Sequence, residues 1–175
     1  MAREIRFSSL LPAAQFCVAA LFGGIGLWRR SAILSRPGFF EGQTMWNTTA
    51  RFHVWPWPYK FAAVLNLPAF LLGLAPSWQL GIIWPSAPEY VATLPALLLV
   101  PLLWCGVGYR LDRRWGIADG APWIGLFFFT LASLGCALLP IGYTGYIPGG
   151  LVLWVVAGVV IRLVSKPARD ANRAH

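Results

Sequence analysis

Charge is what this sequence has least of. Asp, Glu, Lys and Arg make up only 11 % of its 175 residues, against about 25 % in a soluble domain. A soluble surface that poor in charge does not stay wet. Acids are the scarcer sign, six against 14 Lys and Arg, and they form none of the carboxylate sets that a phosphate-processing metal centre uses. The histidines are His53 and His175. A lone imidazole without an orienting partner is no recognisable general base. Cys17, Cys105 and Cys136 each lie in a different apolar stretch. They lack metal-ligand spacing and act as small hydrophobes. No catalytic residue, metal or cofactor is expected from this inventory.

What the chain has instead is hydrocarbon. Hydrophobic residues are 58 % of the total, gathered into runs over about 8–28, 61–84, 90–109, 121–142 and 146–161. Every charged residue falls outside these runs. About 20 apolar residues in helical form span a hydrocarbon core, and helices satisfy their own backbone in lipid. The fold class expected is therefore all-α, a polytopic transmembrane bundle of about five membrane helices in a single integral membrane domain over residues 1–175. The alternative is four helices plus a non-spanning N-terminal segment. The first run follows Arg3 and Arg6 but ends at Trp28-Arg29-Arg30 without a small-residue cleavage pattern, so it is read as retained membrane helix and not as a signal peptide. Pro68 and Pro76-Ser77 interrupt the second run, whose helix is expected to end near Ala75. Pro95 and Pro101 are expected to bend the third. Ala19/Gly23, Ala20/Gly24 and Ser133/Ala137 are small pairs four residues apart, the spacing that lets helix backbones approach closely.

Basic residues set the orientation. Arg29, Arg30, Arg36, Arg51 and Lys60 lie between the first and second runs. Arg110, Arg113 and Arg114 follow the third, and Arg162, Lys166, Arg169 and Arg173 form the tail. The loops at 85–89 and 143–145 hold none. With five crossings, the positive-inside rule puts loop 29–60, loop 110–120 and the C-terminus in the cytoplasm. Arg3 and Arg6 are then left outside. The expected location is a plasma (inner) membrane of bacterial type, with the C-terminus cytoplasmic. Trp28, Trp84, Trp115 and Trp123 fall near run ends, where indoles favour the headgroup level, whereas Trp104 and Trp154 fall deeper. Around Arg110-Leu111-Asp112-Arg113-Arg114, a helix C-terminus is expected, with Gly116 as a left-handed cap.

Two places are candidates for recognition. The first is the cytoplasmic aromatic and basic loop at 29–60, whose last part interleaves Arg51, His53 and Lys60 with Phe52, Trp55, Trp57 and Tyr59. Pro56 and Pro58 favour extended backbone at Trp55 and Trp57. Arg51, His53, Trp55, Trp57 and Lys60 can thus anchor the chain among lipid headgroups, or cradle an anionic headgroup. The second is Asn66, one of the polar side chains inside the runs, with Gln15, Gln79, Thr93, Thr130 and Ser133. None of these ionises, which argues against an autonomous proton-coupled machine. Asn66 either contacts a ligand at a helix break or caps a carbonyl freed by Pro68.

The composition therefore points to a multi-pass membrane protein that is not an enzyme: lipid-contacting, a scaffold or a complex subunit. Its expected partners are membrane lipids, and a homo-oligomer or a larger membrane complex is compatible with it. Nucleic acid is not expected, because the positive charge is distributed as membrane topology requires. The rivals are a small transporter or permease component with a polar site near Asn66, and a membrane-bound enzyme acting on lipid headgroups through residues 51–60.

Overall fold

The computed structural model describes residues 5–35, 55–84, 89–139 and 143–164. Its six helices are α1 (Phe7–Leu34), α2 (Trp57–Leu65), α3 (Leu67–Ile83), α4 (Glu89–Asp112), α5 (Gly120–Leu138) and α6 (Tyr143–Val164). Three of them, counting α4 from Thr93, are long and apolar enough to cross a membrane, and four spans result if the bent pair α2–α3 is taken as one. Large apolar side chains including Leu72, Leu98, Leu102, Phe127, Phe128 and Val155 are exposed. Such a surface is far more apolar than a soluble monomer carries, and it is the surface that hydrocarbon solvates.

The α1 and α4 helices form the main pair. They run antiparallel, because the start of α1 is fixed to the end of α4. The Asp112 carboxylate accepts hydrogen bonds from the backbone N–H of Phe7 at 2.7 Å and of Ser8 at 2.9 Å. Those two N–H groups are among the four that a helix start leaves without an intrahelical partner, and a negative charge there also meets the positive end of the helix dipole. Asp112, expected among arginines at a helix C-terminus, thus serves as the N-terminal anchor of a different helix. Gly108 permits the approach, since a Cβ there would lie 2.6 Å from the Phe7 carbonyl oxygen. Gly116 is not left-handed. Its N–H donates to the Asp119 carboxylate at 2.7 Å.

The second run is two helices, not one. Its helix does not stop near Ala75 but passes Pro76 to Ile83; the break lies earlier, at Asn66, where α2 and α3 meet at a 103° bend. Pro68 lacks the N–H that would serve the Val64 carbonyl, so the helix stops and restarts with the proline in the first turn of α3, where no N–H is needed. In α4, by contrast, Pro95 and Pro101 lie inside one uninterrupted helix.

This break changes the arrangement of the loops. α2 starts beside the end of α1, where Tyr59 packs on Gly26, and Asn66 meets Trp104 well along α4. α3 then returns along α4, with Gly73 against Ala96, toward the start of α4. The pair enters and leaves at one end of the bundle. Arg30 and the start of α2 therefore lie at the end opposite Asp112, Arg113 and Arg114. α5 and α6 complete the bundle around α2, whose residues from Pro58 onward are all buried except Lys60.

Glycine use was only partly as expected. Ser133 and Ala137 are buried on α5. Gly23 and Gly24, however, have nothing within 4 Å of an added Cβ, whereas one at Gly26 would lie 2.5 Å from the Tyr59 Cβ and 2.6 Å from its backbone nitrogen. Backbone atoms cannot yield as a side-chain tip can, so overpacking there costs about 1–3 kcal/mol. The expected outcome is that Gly26→Ala lowers the thermal midpoint in detergent markedly and Gly23→Ala barely does. Equal midpoints for the two variants would contradict the α1–α2 contact.

Candidate functional site

At the end where α1 finishes and α2 and α6 begin, cations and aromatic rings are packed together. Pro56 is the N-cap of α2 and Pro58 lies in its first turn. Both prolines therefore start a helix, and Trp57 is its first residue, not an extended one. The N–H groups of Tyr59 and Lys60 donate to the Pro56 carbonyl at 3.0 and 3.2 Å. Once this turn is helical, Trp55 and Tyr59 come onto one face and stack at 4.2 Å with rings 25° apart. Trp57 points elsewhere, toward Phe22 of α1 at 6.1 Å. The rings of the loop thus do not share one side.

Arg30 completes the cluster. It is only 6 % exposed, and its guanidinium carbon lies 4.2 Å from the Trp55 ring centroid. A cation over an indole gains about 0.5–1 kcal/mol when exposed and about 2 when desolvated; burial places this pair toward the upper figure. Lys60 lies on the neighbouring side of α2, its Nζ 6.0 Å from the ring of Tyr146, a buried residue of α6. The Trp55 indole N–H is buried without a hydrogen-bond acceptor. Of the residues singled out in the sequence, Trp55 and Lys60 therefore belong to this cluster, and Trp57 lines a different face. Arg51 and His53 lie outside the described residues.

Arg30 and Tyr146 were missed by the sequence. Arg30 read only as a boundary residue, but it follows the close-packing Gly26 by one helical turn, and that spacing was the available signal. Nothing local links Tyr146 to Lys60, which is 86 positions earlier in the chain; only the return of α6 past α2 does so.

Asn66 lies below this cluster, 1 % exposed. Its Nδ2 donates to the Ala62 carbonyl at 3.0 Å, and its Oδ1 accepts from Trp104 Nε1 at 2.7 Å. Trp154 Nε1 donates to the Val64 carbonyl at 3.0 Å, supplying the bond that Pro68 withholds. A cavity of about 200 Å³ adjoins Asn66, with Gly23, Gly24, Tyr59, Thr93 and Ala96 on its wall. Gln15 is not on that wall, and its buried Oε1 has no donor. Among the described residues, no three His, Cys, Asp or Glu side chains come close enough to hold a metal ion. No protein-family model, curated protein or solved structure matches this chain, so the chemistry of the site rests on its own residues.

The Asn66–Trp104 pair permits a quantitative test. Asn66→Leu leaves the Trp104 N–H without a partner and Trp104→Phe leaves the Asn66 oxygen without one, each costing about 1–3 kcal/mol. The double variant removes both polar groups together. Thermal unfolding of the three proteins is expected to give a double-variant loss smaller than the sum of the single losses; strict additivity would argue against the bond.

Proposed function

We propose that this is a multi-pass integral membrane protein without a catalytic centre, and that it holds the phosphate headgroup of an anionic lipid at its Arg30–Lys60 end. The observation that carries this reading is a cation of α1, Arg30, buried against a stacked indole–phenol pair at the margin of an apolar bundle, with a second cation, Lys60, on α2. Guanidinium groups suit phosphate because their donors form a rigid fork. The indole N–H of Trp55 offers one more donor in the same place. The rival of a transporter component draws support from the cavity beside Asn66. It is weakened because the Asn66 oxygen is already engaged and the wall is otherwise mainly apolar.

The orientation belongs to the same proposal. We read the bundle as four crossings, α1, α4, α5 and the shorter apolar α6, with α2–α3 dipping in and returning. The start of α1, the α4–α5 turn and the end of α6 then share one side. In sequence that side adjoins Arg3, Arg6, Arg110, Arg113, Arg114, Arg162, Lys166, Arg169 and Arg173, against Arg29, Arg30, Arg36, Arg51 and Lys60 on the other. The positive-inside rule makes the richer side cytoplasmic. The C-terminus remains cytoplasmic in an inner membrane, and the aromatic–basic end faces outward. Single cysteines at Ser35 and Ala118, in a background without Cys17, Cys105 and Cys136, are expected to react with an impermeant maleimide from opposite sides. Labelling from the same side would restore the straight second crossing and remove this topology.

For the ligand, native mass spectrometry of protein extracted from vesicles containing phosphatidylglycerol and phosphatidylcholine is expected to show selective retention of phosphatidylglycerol. A double variant, Arg30→Gln with Lys60→Gln, is expected to lose most of that retention while its gel-filtration profile stays unchanged. Equal retention of both lipids by the unaltered protein, or undiminished selectivity in the variant, would remove the headgroup reading.

A further inference from the structure

A second cavity, of about 310 Å³, lies between α4, α5 and α6 and extends from mid-depth to the Asp112 end. It is separate from the Arg30 cluster and lies toward the opposite end of the bundle. α6 packs on α5, α2 and α3 and has little contact with α4, so a wedge stays open beside it. Small residues keep it open: Gly125 on α5 and Ala157 on α6 line it, whereas Trp104, Trp115 and Trp154 form its broad walls. Every lining side chain is aliphatic or aromatic.

The indoles matter because of where their N–H groups go. Trp104 donates to Asn66 and Trp154 to the Val64 carbonyl, both away into the α2–α3 break. These two rings therefore present only carbon to the cavity. An ordered water needs two to four polar partners, and a polar ligand needs comparable ones; this wall supplies neither from Trp104 or Trp154. The volume corresponds to on the order of ten groups the size of a water molecule or a methylene, which is a stretch of alkyl chain. At the mouth the chemistry changes sign. The Arg114 guanidinium lies 5.4 Å from the Trp115 ring, and Arg162 directly follows the lining residue Ile161.

We propose that this cavity is a binding site for one acyl chain of an anionic membrane phospholipid, with the chain against the three indoles and the phosphate at Arg114 and Arg162. The apolar lining selects a hydrocarbon chain, and the cations at this end of the bundle, Arg114 over the lining Trp115 and Arg162 at the end of α6, distinguish an anionic phospholipid from the solvating bilayer. Nothing in this argument depends on the lipid-headgroup reading of the other end.

The test uses the full chain in phosphatidylcholine vesicles doped with phosphatidylglycerol that carries a photoactivatable diazirine on one acyl chain. Cross-linked peptides are expected to concentrate around Trp115, Gly125 and Ile161. An added Cβ at Gly125 meets nothing within 4 Å, so Gly125→Leu fills the cavity without a backbone clash. It is expected to cut this cross-linking by about tenfold, the equivalent of roughly two buried methylenes. If that variant does not fold, Ala157→Leu fills the same space from α6. Arg114→Gln with Arg162→Gln is expected to make phosphatidylglycerol and phosphatidylcholine probes label equally. Cross-links spread evenly over the outer faces of α1 and α5, or labelling unchanged by the filling variants, would overturn the site. Equal labelling by the two probes in the unaltered protein would overturn its preference for an anionic lipid.

Discussion

A helix that stops inside an apolar bundle leaves carbonyl groups that water cannot reach. The rest of this structure is arranged around that constraint at Asn66. An unsatisfied polar group in such surroundings costs on the order of several kcal/mol, and the break at Pro68 creates the demand directly. Trp154 answers it at the Val64 carbonyl, the Asn66 side-chain amide is satisfied at the Ala62 carbonyl beside its own backbone N–H, and Trp104 holds the Asn66 oxygen. Two indoles from two different helices are thereby drawn to the same bend. Their approach fixes where α4 and α6 pass α2, and it turns their apolar ring faces toward the space between α4, α5 and α6.

The bend also governs charge. Had residues 61–84 been one straight helix, successive loops would alternate sides, and the basic segments at 29–60 and 110–120 would face the same solvent. Because α2 and α3 double back, Arg30 and Lys60 lie toward the start of α4, and Arg113 and Arg114 follow its end. Each end then has its own cationic and aromatic equipment: Arg30, Lys60, Trp55 and Tyr59 at one, Arg113, Arg114, Trp115 and Tyr109 at the other. At the second end, guanidinium groups again lie near rings, Arg113 at 5.0 Å from Tyr109 and Arg114 at 5.4 Å from Trp115. A cation spread over an aromatic face keeps its charge available to phosphate while its apolar side is covered. This is the form in which arginine survives at the margin of hydrocarbon.

The parts of this arrangement legible in the sequence were those set by composition. Charge-free runs of helical length announced helices with apolar outer surfaces, and Trp84, Trp115 and Trp123 fell near their ends, whereas α1 runs on past Trp28 to Leu34. Proline was legible only in part, since its effect depends on neighbours. Pro68 breaks a helix because Trp154 can serve the Val64 carbonyl that it frees. Pro76 is carried within α3, and Pro95 and Pro101 within α4. No local pattern separates these cases. The candidate site was similarly half visible. Trp55 and Lys60 stood out as an aromatic–basic mixture, whereas Arg30 and Tyr146 join them only through packing between distant segments. Asp112 shows the same limit. Its neighbours in sequence are arginines, yet its carboxylate is committed to the first turn of a helix more than a hundred residues away.

That commitment bears on what the molecule can do. The helices that carry the two cavities are not joined with equal strength. α1 and α4 are locked by a charged cap and by Gly108, which admits direct backbone contact, and α3 is held to α4 by a similar close contact of Gly73 with Ala96. α6 has no such lock to α4. It is tied to the core by the Trp154 bond and by Gly150 packed on Leu67 and Val64, both on the α2–α3 side. The rigid half of the bundle therefore holds the Asn66 break, and the loosely joined half flanks the larger apolar space. A hydrocarbon chain entering between α4 and α6 displaces no hydrogen bond and separates no close-packed glycine contact. A chain entering between α1 and α4 would break both. The difference in joining, more than the difference in cavity size, is what supports the proposal of an acyl-chain site in the α4–α5–α6 wedge.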